Sequence, residues 1–329
     1  MDFRTKIEID KDRHELRHDA GVMLLGSCFS DNIGERLVRS MFPAIVNPFG
    51  TLYNPASIEK AIMQLLQSTP FSPDELFEHN GMWHSFSHHS RFSSFDKEKA
   101  LSEINNSFAA ASKAIMSAKT LIITFGSAFV YRDASNDEIV ANCHKLPASR
   151  FNRSMLSVDD ICSLWNPLID KLNRELPELH VIFTVSPIRH LADGAHGNQL
   201  SKATLQLATD NLLKQHCNCS YFPSFEIMLD ELRDYRFYAA DMLHPSDVAI
   251  DYIMQRFADT YFSDETKAKA AACEKLYRMQ NHRFLTDNPE EIRKFKESVA
   301  KYAAKLCTEM PYLQLQLQQK DNNNQNNIF

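Results

Sequence analysis

Short apolar runs alternate with amphipathic stretches along most of this chain, the pattern that a parallel sheet with crossover helices imposes. Gly21 to Leu25 is a buried-strand run that stops at Gly26. Asp31 or Asn32 can then cap a helix to about Ser40, with Ile33, Leu37 and Val38 on one face. Ala44 to Val46 reads as a second strand ending at Asn47-Pro48-Phe49-Gly50, and a helix follows from about Ser57. Leu121 to Thr124 is the third strand and again runs into a glycine, Gly126. A helix from Val158 to about Leu176, a strand from His180 to Val185 and a helix from Ser201 to Cys217 continue the alternation. A short edge strand at Ser220 to Phe222 and a last core helix from Ser246 to Phe262 complete it.

Two stretches break the pattern. Residues 71–100 place Trp83, His84, His88 and His89 among Ser, Phe and Asn, and read as a lid-like hairpin inserted into a core domain of residues 1–262. Residues 263–317 are rich in Glu, Lys and Ala and predict a helical appendage, packed on the core or on a second copy of the chain as a homo-oligomer. Residues 318–329 are polar and of low complexity, a composition that cannot bury enough apolar surface to order itself.

Composition narrows the function. With 44% hydrophobic and 24% charged residues, the chain can fill a sizeable core. A formal charge of −6 and scattered Lys and Arg argue against a nucleic-acid surface, which needs a basic patch. No window approaches the ~20 apolar residues of a membrane span, and the charged N-terminus does not resemble a signal peptide. The seven cysteines are odd in number and irregularly spaced, as expected of reduced thiols in the cytoplasm. No metal or organic cofactor is expected, because His84, His88 and His89 lack partners at the spacings zinc sites favour.

The chemistry concentrates where strands end. In open α/β sheets ligands bind beyond the carboxyl ends of the strands. Three such ends carry Gly26-Ser27-Cys28, Phe49-Gly50 and Gly126-Ser127. Acyl transfer needs an attacking group there together with N–H donors for the developing oxyanion. Before the last core helix comes Asp241-Met242-Leu243-His244-Pro245. Its three-residue spacing lets a carboxylate orient one imidazole nitrogen while the other acts as base. Arg189 and His190, after the fourth strand, face the same end and suit an anionic substrate group. Trp83, His84 and His144 are further candidates to line the pocket.

At these residues the chain resembles a known family. Leu25-Gly26-Ser27-Cys28-Phe29-Ser30-Asp31-Asn32-Ile33-Gly34 is similar to the signature of the GSCFA-domain proteins, grouped with the SGNH hydrolases, with Ser30 where the name motif has Ala. Ala141-Asn142-Cys143-His144-Lys145 and Val185-Ser186-Pro187-Ile188-Arg189-His190 also look typical of that family. The resemblance implies a flavodoxin-like three-layer α/β/α sandwich with a parallel sheet, here with added C-terminal helices. It implies a hydrolase or acyltransferase, esterase-like, acting on a small-molecule or carbohydrate acyl ester or a thioester. The first SGNH block, Gly-Asp-Ser-Leu, aligned without a gap makes Cys28 the nucleophile; a turn one residue shorter makes it Ser27. A thiolate at a helix N-terminus beside His244 is expected to be well activated. Gly50 matches the second block as an oxyanion donor. The third, Gly-x-Asn, is Gly126-Ser127-Ala128 here, so Ser127 or Asn142 must substitute for the asparagine. That departure keeps open a second reading, a catalytically silent binding or assembly protein on the same fold.

Overall fold

The computed structural model describes residues 5–284 and 287–314; the polar tail of residues 318–329 lies outside them. Its centre is a five-stranded sheet built from β1 (Gly21–Gly26), β2 (Ala44–Val46), β5 (Ala118–Phe125), β9 (His180–Val185) and β10 (Cys219–Tyr221). All neighbours pair in parallel in the spatial order β2-β1-β5-β9-β10, the flavodoxin-like order. Strands buried on both faces read as continuous apolar runs, which is why they were visible in the sequence.

The pleat divides the core in two. Met23, Leu25, Leu121, Ile123, Phe125, Val181 and Phe183 point to one face. There they meet the apolar stripes of α2 (Pro55–Gln67), α3 (Lys97–Ile115), α4 (Val158–Glu175) and α5 (Gly194–Gln215). Val22, Leu24, Ile122 and Ile182 alternate to the other face, under α1 (Cys28–Arg39) and α7 (Asp247–Tyr261). Trp165 is fully buried beside Phe125 and Phe183, and its indole N–H donates to the Pro55 carbonyl at 3.2 Å.

Several boundaries differ from expectation, each for a local reason. Helix α1 starts at Cys28 rather than after Asp31, because Ser27 is the N-cap and accepts from the Phe29 N–H. Helix α2 starts at Pro55, capped by Asn54, whose Oδ1 accepts from Ser57 N–H at 2.8 Å. The residue 71–100 insertion contains the hairpin β3 (Leu76–His79) and β4 (Met82–Ser85), but α3 already begins at Lys97. A second small sheet, β7 (Ile139–Val140), β6 (Phe129–Asp133) and β8 (Phe151–Met155), had no counterpart in the sequence reading. Helix α5 begins at Gly194 rather than at the expected Ser201, and α6 (Ser224–Glu226) is a single turn after β10.

At the C-terminal end, α8 (Asp264–Gln280) and α9 (Pro289–Glu309) pair and bury Cys273, Leu276, Leu306, Met310 and Leu313 against Met41, just beyond α1. His18 joins the same corner, bonded to the Tyr312 hydroxyl and the Ser40 carbonyl, each at 2.7 Å. Among the described residues no helix is long and apolar enough to cross a membrane.

Candidate active site

The strand order reverses between β1 and β5, and the loops leaving β1, β5 and β9 meet there. Gly26 ends β1 with φ +147°; a Cβ on it would stand 2.3 Å from the Thr124 carbonyl oxygen on β5. Only glycine permits that approach, and it launches the chain directly into α1. A polar brace holds the turn: Gly26 N–H donates to Asn47 Oδ1 at 2.9 Å, and Asn47 Nδ2 donates to Asp31 Oδ1 at 2.8 Å.

Beyond this turn lies a cavity of about 400 Å3 lined by Cys28 and His244. Cys28 Sγ and His244 Nε2 are 3.8 Å apart, and His244 Nδ1 is 2.6 Å from Asp241 Oδ2. The other Asp241 oxygen accepts the backbone N–H of Leu243 and of His244, at 2.9 and 3.0 Å. Those backbone N–H groups, then the imidazole, hold the Asp241 carboxyl down at about 2, so it stays ionised. Sulfur, imidazole and carboxylate thus form one chain.

Ser27 does not share this position. It is wholly buried, and its hydroxyl accepts the Phe29 N–H at 3.3 Å as the cap of α1. Cys28 differs from expectation in another way. Burial, and then the Asp31 carboxylate, push its thiol up to about 11, outweighing the favourable N–H groups of Cys28 and Phe29. The resting group is therefore a thiol, not a preformed thiolate.

The remaining expected residues divide. Arg189 and His190 line the cavity with Ser127. His190 donates its backbone N–H to Asn198 Oδ1 at 2.9 Å, and its buried Nε2 has no partner among the described residues. Burial, with the nearby Lys202 and His244, pulls that imidazole down to about 4. Arg189 has no carboxylate partner among the described residues, whereas Arg153 at the same cavity is paired with Asp193.

Gly50, Asn142, Trp83, His84 and His144 are placed elsewhere. Gly50 N–H is spent on the Asn47 carbonyl at 2.7 Å, and a Cβ there would meet the His89 side chain at 2.2 Å. Asn142 Oδ1 accepts the His144 N–H at 2.8 Å within its own turn. His144 Nε2 bonds the Ser85 carbonyl at 2.8 Å, its ring lying 4.6 Å from that of His84, and Trp83 packs under Lys97. The wall of the cavity is instead the second small sheet, through Phe129, Tyr131 and Arg153.

Two residues escaped sequence reasoning. Asn54 lines the cavity, and with Oδ1 committed to capping α2 its amide nitrogen is oriented as a donor. The Asn-Pro pair at a helix start was the available signal. Lys202, only 1% exposed, lies beneath the site and donates to the carbonyls of Gly126 at 2.7 Å and Ser186 at 2.8 Å. Its helical phase with Leu205, Thr209 and Leu212 on the buried face of α5 was legible but unused.

The GSCFA family matches residues 21–257. A search of the curated proteins finds no match. Among solved structures, the chain is similar to a carbohydrate esterase family 2 enzyme with a carbohydrate-binding domain from Corynascus thermopiles (Myceliophthora fergusii). The two are 15% identical with a TM-score of 0.28, over 47% of this chain and 37% of that one, so the chain spans little more than a third of that enzyme's length. It is also similar to a family two carbohydrate esterase from Clostridium thermocellum, solved with cellohexaose, at 13% identity and a TM-score of 0.30, over 81% of this chain and 67% of that one. The glycine turn ending β1, the Asp241–His244 pair and the sheet between them all fall within the matched stretch, and the chain belongs to the GSCFA family.

Proposed function

We propose that this protein is a hydrolase or acyltransferase that acts on an ester or thioester through an acyl-cysteine. The observation that carries the reading is the chain of contacts from Cys28 through His244 to Asp241. His244 Nε2 takes the thiol proton as Cys28 Sγ attacks the acyl carbon, and Asp241 holds the imidazole tautomer and stabilises the imidazolium. Collapse of the tetrahedral adduct breaks the bond to the leaving oxygen or sulfur, which receives that proton from His244. Water or an acceptor alcohol then attacks the thioester by the same path in reverse, restoring the thiol. Because the thiol rests protonated, the imidazole works as a true general base; a 3.8 Å separation is of the looser kind seen before substrate binds.

For the oxyanion, the Asn54 amide and the Cys28 N–H are the donors we assign, taking over from Gly50, Ser127 and Asn142. The substrate is a small-molecule or carbohydrate acyl ester: the cavity suits one such unit, Tyr53 and Tyr131 offer ring faces, and Arg189 offers a charge that no carboxylate among the described residues pairs. The test is labelling. Iodoacetamide should modify Cys28, and a chromogenic aryl acetate should give a stoichiometric burst with an acetyl group on the same residue. A turnover unaffected by both Cys28→Ala and His244→Ala would sink the mechanism, whereas a wild-type protein with neither burst nor turnover would leave the reading of a silent binding protein.

A further inference from the structure

Lys202 is the most deeply buried charged group near the cavity, and nothing in the mechanism above uses it. A buried ammonium normally has a carboxylate partner or is displaced. Among the described residues Lys202 has none; its ammonium donates instead to two main-chain oxygens, Gly126 after β5 and Ser186 after β9. Both carbonyls belong to the loops that build the cavity. The residue after Gly126 lines it, and so do Ile188, Arg189 and His190 shortly after Ser186. The position a Cβ would take on Gly126 is also 3.2 Å from the Ser27 Cβ, so this loop packs directly on the turn bearing the nucleophile.

We propose that Lys202 is a positioning residue and the resident counter-charge of this site: its ammonium ties the ends of β5 and β9 together and offsets negative charge that develops at the Cys28 sulfur. The inference rests on the acyl-cysteine reading. Electrostatic preorganisation has this form, a charge fixed in a water-poor place before reaction and poorly compensated until the opposite charge arrives.

The charge balance around the pair supports the assignment. Cys28 faces the Asp31 carboxylate on its own helix, which opposes ionisation, the Tyr53 phenol, the His244 imidazole paired with Asp241, and Lys202, which favours ionisation. Lys202 faces the Cys28 thiol, the His190 imidazole and the Phe225 ring, and no carboxylate among the described residues. Burial draws its ammonium down to about 7, and a charge on Cys28 acts in the opposite direction. The coupling is reciprocal: each ionisation favours the other.

The test reads the thiol rather than turnover. In folded Lys202→Met protein, iodoacetamide alkylation of Cys28, followed by peptide mass, should be about tenfold slower at pH 6, where the wild-type ammonium carries its charge, and the difference should vanish above about pH 8, where it does not. Lys202→Arg should keep the wild-type rate at pH 6. A folded Lys202→Met protein with the wild-type rate at pH 6 overturns the proposal. Should Lys202→Met not fold, the same coupling is measured from the other side, in Cys28→Asp and Cys28→Asn proteins, which differ at that position only in charge. The Lys202 side-chain NMR titration should lie at least about half a pH unit higher in Cys28→Asp; equal midpoints overturn the proposal. Neither readout depends on catalysis. Turnover surviving Cys28→Ala would defeat the acyl-cysteine reading and leave the measured coupling standing.

Discussion

His244 stands between two groups of opposite need, 3.8 Å from the Cys28 sulfur that must lose a proton and 2.6 Å from an Asp241 oxygen that holds the resulting charge. The neighbouring Ser27 is buried with its hydroxyl spent as a helix cap. The two adjacent candidates should therefore respond differently to substitution. Cys28→Ala is expected to abolish the acetyl-enzyme and lower turnover by at least about 10³-fold, whereas Ser27→Ala should leave the adduct on Cys28 and cost about 1 kcal/mol of stability. Intact-protein mass after quenching and thermal unfolding check the pair; an adduct that vanishes in folded Ser27→Ala protein would reverse the assignment.

Asp241→Asn removes the charge that stabilises imidazolium while leaving the side-chain shape. It should reduce kcat by about 10²–10⁴-fold with little change in KM. A raised KM with kcat unchanged would mean that Asp241 serves binding instead.

Asn54 has two separable jobs, and Asn54→Asp distinguishes them. Aspartate retains the oxygen that caps α2 and loses the amide N–H. Stability should hold within about 0.5 kcal/mol while kcat falls about 10²–10³-fold. Steady-state kinetics with a thermal melt decides, and an unchanged kcat would remove Asn54 from the oxyanion site.

Acid should loosen the fold around the first hairpin. His88 is 1% exposed, stacked on Phe49 at 5.0 Å, and burial pulls its imidazole from 6.5 to about 3. A base held neutral in the folded state protonates once unfolded. Stability is therefore full above pH 6.5 and falls as pH drops toward about 3. Each such histidine contributes at most about 1.4 kcal/mol per pH unit. His144, His180 and His190 act with the same sign, so His88→Phe should flatten the slope between pH 6.5 and 4 without abolishing it. Melting temperatures across that range supply the check.

Backbone proximity makes Gly26 the least replaceable turn residue. Gly26→Ala places a methyl against the Thr124 carbonyl and should cost about 3 kcal/mol or more. Gly81, with φ +75° and nothing within 4 Å, carries only the backbone strain, and its alanine variant should lose about 1 kcal/mol. Urea unfolding of the two variants should preserve that ranking.

The sheet was legible because Met23, Leu25, Ile123 and Phe183 sit in apolar runs that two-sided burial demands. The sheet of β6, β7 and β8 was not, since β8 is buried only at Phe151 and exposed along the rest, leaving no apolar run to read. At the site, Cys28, Asp241 and His244 were recoverable because chain spacing and strand position determine their meeting. Gly50 and Asn142 misled because their polar groups are absorbed by local turns, which composition does not reveal. Lys202 and Asn54 were passed over because a lysine inside a helix and an asparagine before a proline each have an ordinary structural meaning.

The corner where Tyr312 bonds His18 and the last helices cover Met41 bears on how this protein can be divided. A cut after residue 262 would not release a removable module. It would strip the cover from the tail of α1, the helix whose other end presents Cys28, and bare a greasy face on what remained. Fragments made there should aggregate, so trimming or fusion is better placed beyond Leu313 than at the junction that helix boundaries suggest.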